Sequence, residues 1–269
     1  MNYYTIPPPI HLMPYVRCFW VLEHDFGANE DSYIYRSIAD GCVELVFHYR
    51  ATFDEIVTDG GAAHNWQSGI HFQSDHYKRF ETKQSFGIFG AYIYPFAVPY
   101  FFKVPSDETT NEMLDLEVFL GREGRELEEK IMTAPDNCKR AEILTGFLEK
   151  RLLNVSLKDE TIAAAIRHII HSGQINTVAQ LANNFNLSTR QFDRKFKAYA
   201  GFNPKTYLRL VRLQNATKQY GTNKSLTQIA LECGYYDQSH FIHDVKAFTG
   251  YHPGFYFSGD AEGTEYKYV

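Results

Sequence analysis

The chain has 269 residues, long for one domain and comfortable for two, and its 44% hydrophobic and 22% charged content is ordinary globular usage. It has no run of about 18 uncharged apolar residues, which excludes a membrane-spanning helix. The start, MNYYTIPPPI, has neither the basic region nor the apolar core of a signal peptide, so a cytoplasmic location and no membrane partner are expected.

Residues 1–14 should form an extended arm, because Pro7-Pro8-Pro9 favours polyproline II and Pro14 blocks a helix. From Tyr15 to Tyr94 the segments YVRCFWVLEHD, SYIYRSIAD, VELVFHYR, HYKRFETK and SFGIFGAYIY are rich in β-branched and aromatic residues. Asp40-Gly41 and Asp59-Gly60-Gly61 are turn signals, and several short strands at this spacing predict a sandwich or barrel. After Pro95, Phe96-Ala97-Val98 with Tyr100-Phe101-Phe102 reads as a short helix ending near Pro105. Leu116, Phe119 and Leu120, then Leu127 and Ile131, recur at helical spacing with Gly121 and Pro135 as breaks.

A helix over about 138–152 puts Ala141, Leu144, Phe147, Leu148 and Leu152 on one stripe and leaves Lys139, Arg140, Glu149 and Lys150 outside. It is a candidate dimer contact and equally a candidate cover for its own β domain. Asn154 to Asp159 is a polar bridge that puts the domain boundary near 155, and Ile162, Ala163, Ile166, Ile169 and Ile170 begin the next helix. Cys18, Cys42, Cys138 and Cys233 are scattered without a CxxC pair and are expected as reduced thiols, Cys233 in a helical core.

His48, His64, His71 and His76 with Glu44 and Glu81 invite a metal reading. The nearest approach to a ligand motif is His71-x4-His76-x4-Glu81, and residues five apart in a strand point to opposite faces. Ordinary surface or turn histidines are therefore expected, with no metal and no cofactor. No G-x-S-x-G, phosphate-binding Gly loop or spaced nucleophile and base is present, so no catalytic residue is assigned and an enzyme is not expected.

Within 174–257 one pattern occurs twice. Thr177-x-x-Gln180, Leu181-Ala182, Phe192, Phe196-Lys197, Gly201, Pro204 and Tyr207 return as Ser225-x-x-Gln228, Ile229-Ala230, Phe241, Val245-Lys246, Gly250, Pro253 and Tyr256. The offset is 48 residues as far as the Ala and 49 from the Phe onward, so one residue is inserted in a turn. Thr177 and Ser225 each make a capping box with the Gln three residues on, and a break at Phe185-Asn186-Leu187, or Gly234-Tyr235-Tyr236, leads to a fresh cap, Ser188 or Asp237. Two short capped helices joined by a turn make a helix-turn-helix, whose second helix enters the DNA major groove.

With Phe192 and Phe196 inward, the first recognition helix presents Thr189, Arg190, Asp193, Arg194 and Lys197, and the second presents Gln238, Ser239, Ile242, His243 and Lys246. Arg190, Arg194, Gln238 and Ser239 suit base edges, and Lys197 and Lys246 suit phosphate. A single such helix is more simply a solvated polar face, but two matched copies favour DNA. Residues 174–257 carry ten Lys or Arg against four Asp or Glu, a local +6 in a chain of net −5, which leaves −11 elsewhere. A basic segment in an acidic protein is the footprint of a nucleic-acid site.

The stretch LSTRQFDRKFKAYAGFNPKTYLRLVRLQNA, followed by SLTQIALECGYYDQSHFIHDVKAFTGYHPGFY, resembles the DNA-binding domain of the AraC/XylS family of bacterial transcription regulators. The resemblance implies seven helices, with a linker helix at about Pro204 to Gln219 holding two helix-turn-helix units on successive major grooves about 34 Å apart. The family often has Arg where this chain has His243, which predicts a weaker or more tolerant second unit. Looser similarity through PPPIHLMPYVRCFWVLEH, ADGCVELVFHY and YPFAVPYFFKVP links the N-terminal half to poorly characterised sensor domains of such regulators. It implies a β-rich, cupin-like domain that senses a small molecule or pairs subunits.

The expected layout is a sensor or dimerisation domain over 1–155, a DNA-binding domain over 156–258 and a short acidic tail over 259–269. Candidate effector-pocket residues are Trp20, Arg36, Glu44, Phe47, Tyr49, Tyr92 and Tyr94, because pockets mix aromatic walls with a few charged groups; core packing is the alternative for each. The expected function is a sequence-specific transcription regulator under an effector of unknown identity, with double-stranded DNA as partner and RNA polymerase and a second subunit as further candidate partners. The alternatives are an N-terminal domain that only dimerises or binds a protein, and a DNA-modifying enzyme with a helix-turn-helix targeting domain.

Overall fold

A computed structural model describes the chain except residues 40, 58–65, 154–159, 173–176, 220–221, 223, 259–260 and 263–269 and the side chains of residues 160, 171 and 172. Asp40, the turn at Asp59-Gly60-Gly61, His64, the boundary near 155 and most of the acidic tail thus lie outside the described residues.

The N-terminal half contains β1 (Asn2–Ile6), β2 (Val16–His24), β3 (Tyr33–Ser37), β4 (Val43–Arg50), β5 (Asp54–Glu55), β6 (Ser68–His71), β7 (Lys78–Thr82), β8 (Phe86–Ile93) and β9 (Met113–Asp115). These form a larger sheet in the order β1-β2-β8-β4-β6-β9 and a smaller one in the order β3-β7-β5, with antiparallel pairing throughout. Of the arm expected to be extended over residues 1–14, Asn2 to Ile6 form an edge strand paired opposite Glu23 to Phe19, whereas residues 10–14 turn, with the Leu12 and Met13 amides donating to the Pro9 carbonyl. The prolines that follow have no N–H to give a ladder, and pairing stops before Pro7.

Every residue of β8 is buried, as its unbroken apolar run FGIFGAYI requires of a central strand. Side chains then sort by parity. Trp20, Leu22, Val46, Ile88 and Tyr92 fill the space between the sheets with Tyr33, Tyr35, Phe53 and Phe80, while Phe19, Val21, Leu45, Phe47, Phe89 and Ala91 face the helices. A Cβ on Gly90 would lie 2.4 Å from the Trp20 ring, so glycine is what lets the indole cross β8.

On the helical side lie α1 (Val98–Phe102), α2 (Leu116–Leu120), α3 (Arg122–Met132) and α4 (Asn137–Leu152). Asp115 and Asp136 cap α2 and α4 by accepting the Val118 and Lys139 amides. Helix α4 buries Ala141, Leu144, Phe147 and Leu148 against its own domain. Arg140, expected on the exposed side, is buried. Its guanidinium lies 3.9 Å from the Tyr49 ring centre and donates to the Ile131 and Ala134 carbonyls, so the end of α3 and the ring supply partners that helical periodicity does not register.

Next come α5 (Glu160–Ser172), α6 (Val178–Asn184), α7 (Thr189–Ala200), α8 (Pro204–Thr217), α9 (Leu226–Glu232), α10 (Gln238–Thr249) and α11 (Pro253–Tyr256). The two halves do not have separate cores. One apolar cluster runs from Phe19, Leu45 and Phe89 through Phe101 and Leu144 to Ile166, Phe196 and Phe241. Across the junction the Tyr100 and Tyr199 rings meet edge to face at 6.3 Å, and the Arg167 guanidinium sits 5.4 Å from the Phe96 ring centre.

Candidate nucleic-acid interface and ligand cavity

Local sequence chemistry sets both helix-turn-helix units. Thr177 and Ser225 close reciprocal capping boxes with Gln180 and Gln228, and Ser188 closes a third with Gln191. Asn186 and Gly234 take equivalent left-handed conformations in the two turns, with φ of 55° and 76°. The next amides match as well: Leu187 donates to the Ala182 carbonyl and Tyr235 to the Ala230 carbonyl, both at 2.9 Å. The extra residue of the second unit is therefore Tyr236. It is 86% exposed at the entrance to α10, with its ring edge-on to His240 at 6.1 Å.

Phe192 and Phe196 in α7, and Phe241 and Val245 in α10, are fully buried, which turns the opposite faces outward. Thr189, Arg190, Asp193, Arg194 and Lys197 are all exposed on α7. On α10, Gln238, Ser239, His243 and Lys246 are exposed and Ile242 is half-buried. Tyr236 and His240 extend this second surface; the one-residue slip in the repeat signals an insertion in this turn without naming the residue. Helix α8 is tied to α10 by Arg209, whose Nε and Nη2 donate to one oxygen of the buried Asp244 at 3.0 and 2.7 Å.

The β domain grips both recognition helices at their last turns. At the end of α7, Thr110 Oγ1 donates to the Gly201 carbonyl at 2.9 Å, and a Cβ on Gly201 would lie 1.9 Å from Gln73 Nε2. At the end of α10, the Ala39 amide donates to the Phe248 carbonyl and Arg36 Nη1 to the Thr249 carbonyl, each at 3.1 Å. Those carbonyls are among the four that any helix leaves without an internal partner, and a cation there also suits the helix dipole. Arg36 is buried with its guanidinium 4.6 and 4.1 Å from the Tyr77 and Tyr251 ring centres.

Two capped helix-turn-helix units with polar outer faces, joined by one helix, form a tandem helix-turn-helix domain. Residues 181–259 match the family model of a helix-turn-helix domain, and residues 4–115 match that of a domain of unknown function, DUF6597. The C-terminal segment thus carries a helix-turn-helix domain. It is similar to the transcriptional activator RhaS of Escherichia fergusonii, with 33% identity over 89 residues, 31% of this chain and 32% of that protein. An uncharacterised HTH-type regulator of Haemophilus influenzae is 32% identical over 117 residues, 42% of this chain and 37% of that one. The chain thus aligns with about a third of the length of these relatives. Among solved structures, ToxT of Vibrio cholerae superposes with a TM-score of 0.47 at 12% identity, over 88% of this chain and 95% of that one.

The effector-pocket candidates part company. Trp20 and Glu44 line a cavity between the two sheets, together with Tyr35, Val46, His48, Phe53, Trp66, His71, Phe80 and Ile88. About 20 Å³ of it admits the centre of a water-sized sphere, so a guest larger than water must displace wall side chains. Tyr92 and Tyr94 instead line a cleft between the two halves of the chain, alongside Arg17, Tyr207 and Lys218. Phe47 and Tyr49 have the opposite parity to Glu44 on β4 and face the helices, and Arg36 leaves β3 on the side away from the cavity, toward α10.

His48 and His71, expected at the surface or in turns, are cavity walls. Burial drives His48 down to about 4, and burial with the nearby His48 and Lys78 drives His71 down to about 3. His76 is exposed beside Asp75, and no cluster of three or more His, Cys, Asp or Glu suited to a metal occurs among the described residues. Both wall imidazoles are neutral in the fold and take up protons below about 6.5 once unfolded. Their contribution is therefore complete above about pH 6.5 and is lost as pH falls toward 4, on the order of 2 kcal/mol for each. The midpoint of thermal unfolding is expected to drop over that window and to drop less in His71→Phe. Identical pH profiles for the two proteins would remove His71 from the explanation.

Proposed function

We propose that the chain is a sequence-specific DNA-binding transcription regulator, controlled by a small molecule bound in its N-terminal domain. The observation that carries the DNA reading is the pair of matched recognition helices whose outer faces are exposed while their last turns are held by the β domain. Arg190 and Arg194 can fork onto guanine, and Gln238 can pair with adenine. Lys197 and Lys246, in the last turns of their helices, meet phosphate. The first unit carries two arginines where the second carries glutamine, serine and histidine, which suits one subunit reading a non-palindromic site.

Control by a ligand is supported by the placement of the small sheet. Neighbouring residues of β3 and β7 face opposite ways: Tyr35 and Phe80 wall the cavity, while Arg36 holds the end of α10 and Arg79 pairs with Glu262 at 2.8 Å. Whatever moves the cavity wall moves the grip on the second reader.

Selection of bound fragments from genomic DNA gives the operator, and point variants then test the assignment. Arg194→Ala is expected to cost about 1–3 kcal/mol and to relax preference at one position. Lys197→Ala should weaken every sequence alike and lower the salt slope by about one. Equal affinity of the intact chain for selected and random DNA would overturn the reading.

A further inference from the structure

The cavity between the sheets is selective in its chemistry. Its walls are largely aromatic, from Trp20, Tyr35, Phe53, Trp66 and Phe80, with the buried Glu44 among them. The imidazoles join the ring lattice: His71 stacks on Phe80 at 6.0 Å and meets Trp66 edge-on at 5.9 Å, and His48 lies 5.6 Å from Phe53. Neither adds charge at neutral pH. No Lys or Arg is among the described lining residues. The basic residues of the small sheet are engaged elsewhere, Lys78 with Glu55 at 3.2 Å and Arg36 and Arg79 toward the C-terminal half. Trp20 Nε1 and His71 Nδ1 are shielded from solvent and have no hydrogen-bond partner among the described residues.

Ring faces carry negative potential at their centres and attract organic cations, and the oxygens of a carboxyl group inside such a box add to that potential. An added positive charge further offsets the cost of holding that carboxylate away from water. An anion would face the carboxylate and ring faces without a lining cation to offset them. We propose that this cavity binds an organic cation, an amine or ammonium on a small apolar or aromatic body, with its charge against Glu44 and the surrounding ring faces. A neutral acceptor on the same molecule has Trp20 Nε1 as its donor. This assignment rests on the reading of the N-terminal domain as the sensor and names the class of molecule sensed.

The chain's two tryptophans, Trp20 and Trp66, both line the cavity, so intrinsic fluorescence of the full-length protein reports on this site. Three probes of one size separate charge from shape: benzylamine as cation, benzyl alcohol as neutral form and benzoate as anion. Benzylamine is expected to change the emission saturably, with benzyl alcohol at least tenfold weaker and benzoate inert. Glu44→Gln should lower benzylamine affinity at least tenfold and erase its advantage over the alcohol. Should that variant not fold, Phe53→Leu keeps bulk but removes a ring face, and is expected to weaken benzylamine several-fold while leaving benzyl alcohol unchanged.

Benzoate or the alcohol binding as tightly as benzylamine, no response to any probe, or unchanged benzylamine binding in a folded Glu44→Gln protein each overturn the proposal. Operator affinity of the ligand-free protein, measured in parallel, is independent of these outcomes. Its loss would count against the DNA reading alone.

Discussion

Asp244→Ala is expected to destabilise the C-terminal domain by about 2–4 kcal/mol, and operator binding should fall with it. The carboxylate is 6% exposed and takes two hydrogen bonds from Arg209, whose guanidinium also lies 5.0 Å from the Phe248 ring centre. Removing one partner of a buried ion pair strands the other, and that is where the large cost lies. Arg209 keeps 30% of its side-chain surface in water, which places the effect toward the lower end of the range for buried pairs. The pair joins α8 to α10, so its loss also loosens the spacing between the two readers. The double variant Arg209→Met, Asp244→Leu should recover much of the stability, because no charge is left stranded. Urea midpoints of the single and double variants decide the matter, and a double variant as unstable as Asp244→Ala would show that the charge pair is not the cause.

Arg36→Ala should cost about 2–4 kcal/mol, because it removes a charged hydrogen bond to the Thr249 carbonyl, the cation–ring attraction to Tyr77 and Tyr251 and the volume of a buried side chain. Its signature is local as well as global. Amide exchange should quicken in the last turn of α10 and in β3, while α6 and the start of α7 keep their protection. Arg36→Lys should not restore the wild type, since an ammonium cannot lie flat between Tyr77 and Tyr251 and reach the carbonyl at once. Uniformly faster exchange across the C-terminal domain would contradict a role confined to the grip on α10.

The C-terminal half was legible because its signals are local. A capping box needs residues three apart, the buried faces need Phe192 and Phe196 four apart, and Gly201 and Gly250 take the left-handed ends where those helices stop, with φ of 79° and 80°. What the pattern could not carry is that these glycines also make room for Gln73 and for Tyr77 with Arg36, residues more than a hundred positions away. Strand β1 was read as an extended arm, whereas β2, β3, β4, β7 and β8 were legible from β-branched and aromatic content. Strands β5, β6 and β9 were not, since two to four residues leave no period to read.

Two of the seven pocket candidates meet in one cavity. Trp20 and Glu44 line the cavity, and strand parity alone separates Glu44, Val46 and His48 from Phe47 and Tyr49 on β4. His48 and His71 escaped because a search for metal spacing treats a histidine as a ligand or as surface, and here each is a neutral ring in a wall. Tyr236 escaped because an insertion shows in an alignment of the two units as a gap, and only the matched amide bonds of Leu187 and Tyr235 show which residue fills it.

The grip on the final turns of α7 and α10 bears on modularity. An N-terminal domain transplanted from another chain would have to offer donors to the Phe248, Thr249 and Gly201 carbonyls and clearance at both glycines, besides a matching apolar surface. Few chimeras made by joining at a linker would meet those demands. Two halves held by such a grip should therefore descend together as a unit.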